Sequence, residues 1–330
     1  MNNSKLTNQF QGKHVLITGG AGFIGSHIAE RLMNTCKITL FDNLRRNSIS
    51  TMQLTKNIQL VKGDVLDYTS LEHVVKDADI IYHLAAVAGI NTVTKSPITT
   101  IKINLIGTYN LFQAIEKTNP RIEKVFLAST SEVYGKYSFL GKEDDLTSQG
   151  PVSEPRWCYA TSKLAAEHLA YSYFLEKKVP VTILRFFNVY GPRQTGESAM
   201  HNFIERALHG ETLRIFGSGL QVRSWCFIQD AIEGVMLATS SKKAVGKVFN
   251  IGNPKTAITI ASLADFIIQL TGSKSIIEYI PKDFADVELR IPDITLAQKV
   301  LGYLPKIDLQ EGIKRTVKWY KGERREVNCV

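Results

Sequence analysis

An α/β fold, a doubly wound parallel sheet followed by a smaller mixed C-terminal domain, is predicted by three observations. Short apolar, β-rich runs alternate with helix-periodic segments through the first half; those runs are apolar almost without interruption; and three evenly spaced glycines sit where the first run passes into a helix. Strands joined through helices run parallel, because a crossover that holds a helix returns the chain to the end it started from. Strands covered on both faces cannot alternate apolar with polar residues, so continuous runs mark the interior of such a sheet.

The expected strands are residues 14–18, 37–42, 58–61, 80–84, 124–129 and 181–187, with helices over 98–117 and 161–177. After Asn188 the pattern shortens and turns gather at Gly191-Pro192, Gly217-Ser218-Gly219 and Asn253-Pro254. This divides the chain into a first domain, 1–187, and a second, 188–330, some of whose segments are free to return to the first. Amphipathic helices are expected there at 262–270 and 309–320. Without a low-complexity linker the halves pack around a cleft, where ligands bind.

Composition narrows the class. With 44% hydrophobic and 22% charged residues among 330, the chain is globular rather than disordered. The long charge-free stretches 15–29 and 80–94 are broken by glycines and polar residues, short of the roughly 18 apolar residues of a membrane span. The first 11 residues are polar, so a soluble cytoplasmic protein without membrane insertion is expected. Cys36, Cys158, Cys226 and Cys329 lie far apart, which suits a reducing compartment and offers no metal site. The net charge of +9 is dispersed except at Lys314, Arg315, Lys318, Lys321, Arg324 and Arg325, where Glu323 and Glu326 intervene; a solvated helix face is expected there and no nucleic-acid partner.

Residues 17–25, Ile-Thr-Gly-Gly-Ala-Gly-Phe-Ile-Gly, follow the first strand and open a helix. Gly19, Gly22 and Gly25 let the backbone approach a pyrophosphate at a helix N-terminus, as in a Rossmann-type domain. Glycines also serve turns and close packing, so the signal lies in their place after a strand. Asp42 ends the second strand, at the distance of about 20 residues where a carboxylate meets a ribose diol and repels a 2′-phosphate, which favours NAD over NADP. A turn or cap is its competing role, and Arg45 and Arg46 leave NADP open. Asp64 suits an adenine amine or a surface turn.

Tyr159 and Lys163 lie four apart at the start of a predicted helix, on one face. A nearby ammonium stabilises a phenolate and lowers its pKa from about 10, so Tyr159 can serve as general base toward a sugar hydroxyl. A Tyr and Lys at this spacing is commonplace; beside the glycine loop and Ser129-Thr130-Ser131 at the end of the fifth strand it becomes a specific signal.

With these residues the chain resembles the extended short-chain dehydrogenase/reductases that modify nucleotide sugars. The likeness runs through TGGAGFIGSH (18–27), HLAA (83–86), STSEVYG (129–135), YATSK (159–163), RFFNVYGPR (185–193) and FNIGNP (249–254). It implies tightly held NAD, a UDP-sugar between the domains, a transient C4 ketone, and a homodimer through the helices near 98–117 and 161–177. NAD contacts so implied are Gly19, Gly22, Phe23, Ile24, Gly25, Asp42, Asn43, Asp64, Val65, Leu84, Ala85, Ala86, Tyr159 and Lys163.

Thr130-Ser131-Glu132-Val133-Tyr134-Gly135, Pro155-Arg156-Trp157-Cys158-Tyr159 and Gln221-Val222-Arg223-Ser224 look like the UDP-glucuronate decarboxylases within that group. The resemblance makes Thr130, Ser131, Arg156, Asn188 and Arg223 substrate-contacting, with Glu132 and Arg223 as acid or base groups. Their competing roles are a salt bridge for Arg156, a strand-end cap for Asn188 and a surface pair for Arg223. Residues 85–91, Ala-Ala-Val-Ala-Gly-Ile-Asn, are instead similar to UDP-glucuronate 4-epimerases, although Asn91 stands where those carry arginine. Decarboxylation through a β-keto acid is the first expectation, 4-epimerisation the second, and a non-catalytic NAD-binding protein on the same fold a distant third.

Overall fold

The computed structural model describes residues 9–281 and 286–322. Residues 1–8, Glu323, Arg324, Arg325, Glu326 and Cys329 lie outside the described residues. The first half lays down β1 (His14–Thr18), α1 (Phe23–Leu32), β2 (Lys37–Asp42), β3 (Ile58–Lys62), α2 (Tyr68–Val75), β4 (Ile80–His83), α3 (Ile90–Lys95), α4 (Pro97–Ile101), α5 (Gly107–Thr118), β5 (Lys124–Thr130), β6 (Tyr137–Gly141), α6 (Trp157–Lys177) and β7 (Val181–Phe186). The second adds β8 (Val189–Tyr190), α7 (Ala199–Leu208), β9 (Leu213–Phe216), β10 (Val222–Ser224), β11 (Cys226–Phe227), α8 (Ile228–Ser240), β12 (Lys247–Ile251), β13 (Ala257–Thr259), α9 (Ile260–Thr271), β14 (Ile277–Ile280), β15 (Leu289–Pro292), α10 (Thr295–Leu301) and α11 (Leu309–Tyr320).

The central sheet has seven strands in the order β12-β7-β5-β4-β1-β2-β3, all parallel. The continuous apolar runs are explained by its two covered faces. Val15 and Ile17 of β1 join one core layer and Leu16 the other; Tyr82 and Ile81 of β4, and Phe126 and Leu127 of β5, divide in the same way. Helices α1 and α8 close the first layer with Ile28, Leu32, Val235 and Met236, and α2, α5 and α6 the second with Leu71, Phe112 and Ala166. Each such side chain contributes roughly 1.5–3 kcal/mol by leaving water.

Chain order reverses between β1 and β4, opening a crevice at their C-terminal ends, the usual ligand position in such sheets. The second sheet, β13-β10-β15-β6, stands across it. The halves exchange strands: β12 returns from the C-terminal half to pair with β7, whereas β6 leaves the first half to pair with β15. The second exchange has no signal in the sequence pattern.

The segment read as one helix over 98–117 is three pieces. Between α4 and α5, Lys102–Ile106 widens into a π-helical turn. Asn104 is the reason: its Oδ1 accepts from Val87 N–H at 2.8 Å, and its Nδ2 donates to Val87 O and to Ser162 Oγ, each at 3.1 Å. A widened turn re-aims one side chain, here to hold the loop after β4 against α6. In α11, Lys314 and Lys318 are exposed, as is Lys321 just after it, while Ile313 and Val317 are buried.

Candidate active site

A cleft of about 850 Å³ runs from the glycine loop to β15. Gly19 has φ of 70°, and a Cβ there would lie 2.6 Å from Ala85 N; a Cβ on Gly25 would lie 2.5 Å from Gly19 O. No side chain caps α1, whose N-cap is Gly22, so its first-turn N–H groups face the cleft. A cradle that a methyl would fill, opening on a bare helix N-terminus, fits the pyrophosphate of a dinucleotide. Asp42 at the next strand end accepts from Ala21 N–H at 3.0 Å and Leu44 N–H at 2.7 Å, one bond to each oxygen, and burial raises its pKa. The turn role weighed for Asp42 is therefore present in a residue that also lines the cleft. Asp64 accepts from Leu66 N–H at 2.9 Å and from Asn43 Nδ2 at 3.5 Å. Arg46 is turned from the ribose position toward Ala88 O, at 2.9 Å.

The floor below is neutral. His83 lies between Thr18 Oγ1 at 2.7 Å and Thr108 Oγ1 at 3.0 Å. Thr108 spends its own proton on Asn104 O at 2.6 Å, so His83 donates from Nε2 and accepts at Nδ1. Burial, with the Lys163 charge behind it, lowers His83 to about 3.

Tyr159 and Lys163 open the N-terminal part of α6 and both line the cleft. Burial pulls Lys163 down to about 8, and Glu167, one turn further along, opposes it. Tyr159 departs from the expectation raised by its lysine neighbour: burial pushes the phenol up to about 12 and the Glu132 carboxylate pushes the same way, while a hydrogen bond with Thr130 and the charges of Arg290 and Arg46 pull it down. Desolvation of the phenolate outweighs that hydrogen bond and both guanidinium charges. Thr130 ends β5 and caps the 3₁₀ turn Ser131–Tyr134, accepting from Glu132 N–H at 3.2 Å. Behind them Glu167 accepts from Ser129 Oγ and from Arg185 at 2.7 and 3.0 Å, both ionic side chains being 6% exposed.

Toward the second sheet the cleft ends in an ionic cluster. Glu132 meets Arg156 at 3.4 Å and Arg290 at 3.5 Å; Asp286 meets Arg156 at 2.6 Å and Arg223 at 3.4 Å. Arg223 is anchored to Val222 O at 3.1 Å and to Val287 O, and Arg290 to Gly135 O at 3.1 Å. Burial lowers Arg223 and takes Arg290 to about 10. Among the described residues Arg156, Arg223 and Arg290 gather with Glu132 and Asp286 into a guanidinium-rich end of the cleft, suited to an anionic ligand.

A cleft that joins a dinucleotide cradle to a Tyr-Lys pair agrees with the comparisons. The NAD dependent epimerase/dehydratase family matches residues 15–252. The chain belongs to that family. It is 38% identical to a UDP-N-acetyl-alpha-D-glucosaminuronate decarboxylase of Bacillus cytotoxicus, over 94% of this chain and 98% of that protein. It is 34% identical to UDP-glucuronic acid decarboxylase 1 of Danio rerio, over 97% of this chain and 75% of the relative. Among solved structures, UDP-glucuronic acid 4-epimerase from Bacillus cereus, in complex with UDP-glucuronic acid and NAD, superposes with a TM-score of 0.85 at 30% identity, covering 94% of this chain and 99% of that one.

NAD is the cofactor of this epimerase/dehydratase family, and the fold and family read from the sequence are those found. Within this family member the cleft gathers Gly19, Gly22, Phe23, Ile24, Gly25, Asp42, Asn43, Asp64, Val65 and Leu84, Ala85, Ala86 at one end, and Thr130, Ser131, Glu132, Arg156, Tyr159, Lys163, Asn188 and Arg223 at the other. Asn188, with φ of 37°, donates its amide to Ser224 O at 2.8 Å. Arg290, Asp286 and Asn104 have no place in the sequence reading. Arg290 and Asp286 lie far along the chain from the tyrosine, and only the pairing of β15 with β10 and β6 carries them to the cleft. A basic residue within an apolar strand, Leu289-Arg290-Ile291, is the signal that was there to be used.

Proposed function

We propose that this enzyme decarboxylates a UDP-hexuronate, UDP-glucuronate or its 2-acetamido analogue, to a UDP-pentose through a C4 ketone. The observation that carries the reading is the ionic cluster of Glu132, Arg156, Arg223, Arg290 and Asp286 beside Tyr159 and Thr130. Similarity to two decarboxylases of UDP-hexuronates supports it. Gly19, Gly22, Gly25 and Asp42 would hold NAD, which when bound takes hydride from the C4 carbinol and later gives it back. Tyr159, hydrogen-bonded with Thr130, takes the C4 hydroxyl proton, and Lys163 supplies the cation that favours its phenolate.

The ketone makes the sugar carboxylate a β-keto acid. The C5–carboxyl bond breaks with its electron pair moving into the C4 oxygen, CO2 departs, and the Tyr159 and Thr130 hydroxyls stabilise the enolate. Protonation at C5 then falls to the groups at the cluster. Glu132 lies in contact with Arg290, whose pKa burial lowers; Arg223 anchors the neighbouring Asp286.

Incubation with UDP-glucuronate and with UDP-N-acetylglucosaminuronate, with CO2 and products followed by NMR, tests the reading. CO2 release is expected, with severe loss in Glu132→Gln and Arg290→Met while NAD stays bound. A second reading, 4-epimerisation, is favoured by the epimerase-like stretch Val87–Asn91 along the cleft wall; interconversion of C4 epimers without CO2 would establish it instead.

The finer assignments of partner and place are part of the same proposal. Ile98, Ile101, Ile106 and Tyr109 on the α4–α5 side and Tyr171 and Leu175 on α6 are exposed, an apolar face that suits a homodimer, to be read by sedimentation. The free thiols Cys36, Cys158 and Cys226 suit the cytoplasm; no helix among the described residues is long and apolar enough to cross a membrane.

A further inference from the structure

The NAD crevice is bridged by contacts that the proposed chemistry does not use. Arg46, after β2, donates from Nη2 to Ala88 O, after β4, at 2.9 Å. Its guanidinium fills the space beside two glycines: a Cβ on Gly196 would lie 2.8 Å from Arg46 Cζ, and one on Gly89 3.2 Å from Nη2. Both glycines have positive φ, 93° and 103°, so the close approach depends on their lacking a side chain. Glu197, in the link from β8 to α7, reaches the same loop from the other side. It accepts from Asn91 N–H at 2.6 Å, Thr92 N–H at 3.1 Å and Thr92 Oγ1 at 2.7 Å. Ser48 ties the arrangement to the glycine loop, donating from N to Ala21 O at 2.7 Å and from Oγ to Arg193 O at 2.9 Å.

We propose that Arg46 and Glu197 are the two jaws of a clasp across the NAD crevice, and that opening this clasp limits the rate at which the dinucleotide leaves. The segments after β2 and β4 stand on either side of the reversal in strand order, and the third segment comes from the half of the chain that faces it. Arg46, Gly89 and Glu197 line the same cleft as Gly22, Asp42 and Tyr159, so the bridge borders the space that a dinucleotide between cradle and tyrosine would take. The ties are hydrogen bonds to ionised groups between separate loops, strong enough to persist and few enough to open together.

The test is independent of the sugar. Holoenzyme carrying NADH is chased with excess NAD, and the fall in bound-cofactor fluorescence gives the release rate. Glu197→Gln and Arg46→Met are each expected to speed release by roughly tenfold, the equivalent of one charge-assisted hydrogen bond. Thr92→Val, which removes one donor and no charge, should give a smaller acceleration and keeps the test open if a charge variant fails to fold. The double variant should be little faster than either single one, because one broken jaw already opens the clasp. Release within twofold of wild type in both single variants, or acceleration in only one of them, overturns the proposal.

Discussion

Glu167→Gln keeps the shape of the side chain and removes its charge, which isolates what the buried pair with Arg185 does. Arg185 would keep Tyr134 Oη at 2.9 Å and Glu143 O at 3.1 Å but lose its ionic contacts at 2.7 and 3.0 Å. Both side chains are 6% exposed, so water does not take the place of the lost carboxylate. Stranding one member of a buried ion pair costs about 3–5 kcal/mol. An unfolding entropy of roughly 2.1 cal/mol/K per residue converts that to a fall in Tm of about 4–7 °C for a chain of this length. Calorimetry measures it. A second effect falls on Lys163. Glu167 is the charge that holds Lys163 up against burial, so in Glu167→Gln the Lys163 ammonium is lost at lower pH and the alkaline limb of turnover moves down. Arg185→Met destabilises similarly but keeps the Glu167 carboxyl beside Lys163, and the limb moves less. Melting within about 1 °C of wild type, with an unmoved pH profile in both variants, would refute the reasoning.

Tyr159→Phe should abolish turnover with NAD still bound, because only the group proposed to take the proton is gone; Lys163→Met should lose both activity and cofactor, as gel filtration with absorbance detection would reveal. Gly19→Ala places a methyl 2.6 Å from Ala85 N at a φ of 70°. With roughly 1–2 kcal/mol of left-handed strain added to that clash, NAD titration should show at least about tenfold weaker binding. His27 and His83 are each lowered from 6.5 to about 3, mainly by burial. The unfolded chain takes up protons first, so stability is complete above pH 6.5 and drains as pH falls toward about 3, which denaturation at stepped pH would trace. Replacement of His83 by asparagine should flatten part of that slope.

The first half of the molecule was legible because its signals are local. Alternating strands and helices, glycines after β1 and a carboxylate after β2 each lie within one turn or strand of the position they mark, and predicted strand limits differ from those observed by one residue at most. The ionic end of the cleft was only half legible. Glu132 and Arg156 stand near Tyr159 in the chain, but Asp286 and Arg290 reach them by tertiary pairing alone. The break in the helix over 98–117 was hidden for another reason: apolar spacing reports which face is covered, not an extra residue in one turn, and Asn104 makes its bonds to residues distant in sequence. The direction of the Tyr159 shift failed similarly, since spacing reveals the lysine but not how much water the fold removes from the phenol.

The return of β12 to the central sheet governs how this chain can be made. As the polypeptide emerges from a ribosome, β7 is complete at residue 186, yet its free edge is covered only when residues 247–251 follow. For that interval the nascent sheet presents an unpaired edge on Val181–Phe186, a strand buried along its whole length in the finished fold, the kind of edge that recruits other chains. A fragment ending near residue 187 would carry that edge permanently and is expected to aggregate. Extending it through Ile251 supplies the missing strand, and with it the earliest point at which all seven strands of the central sheet can pair.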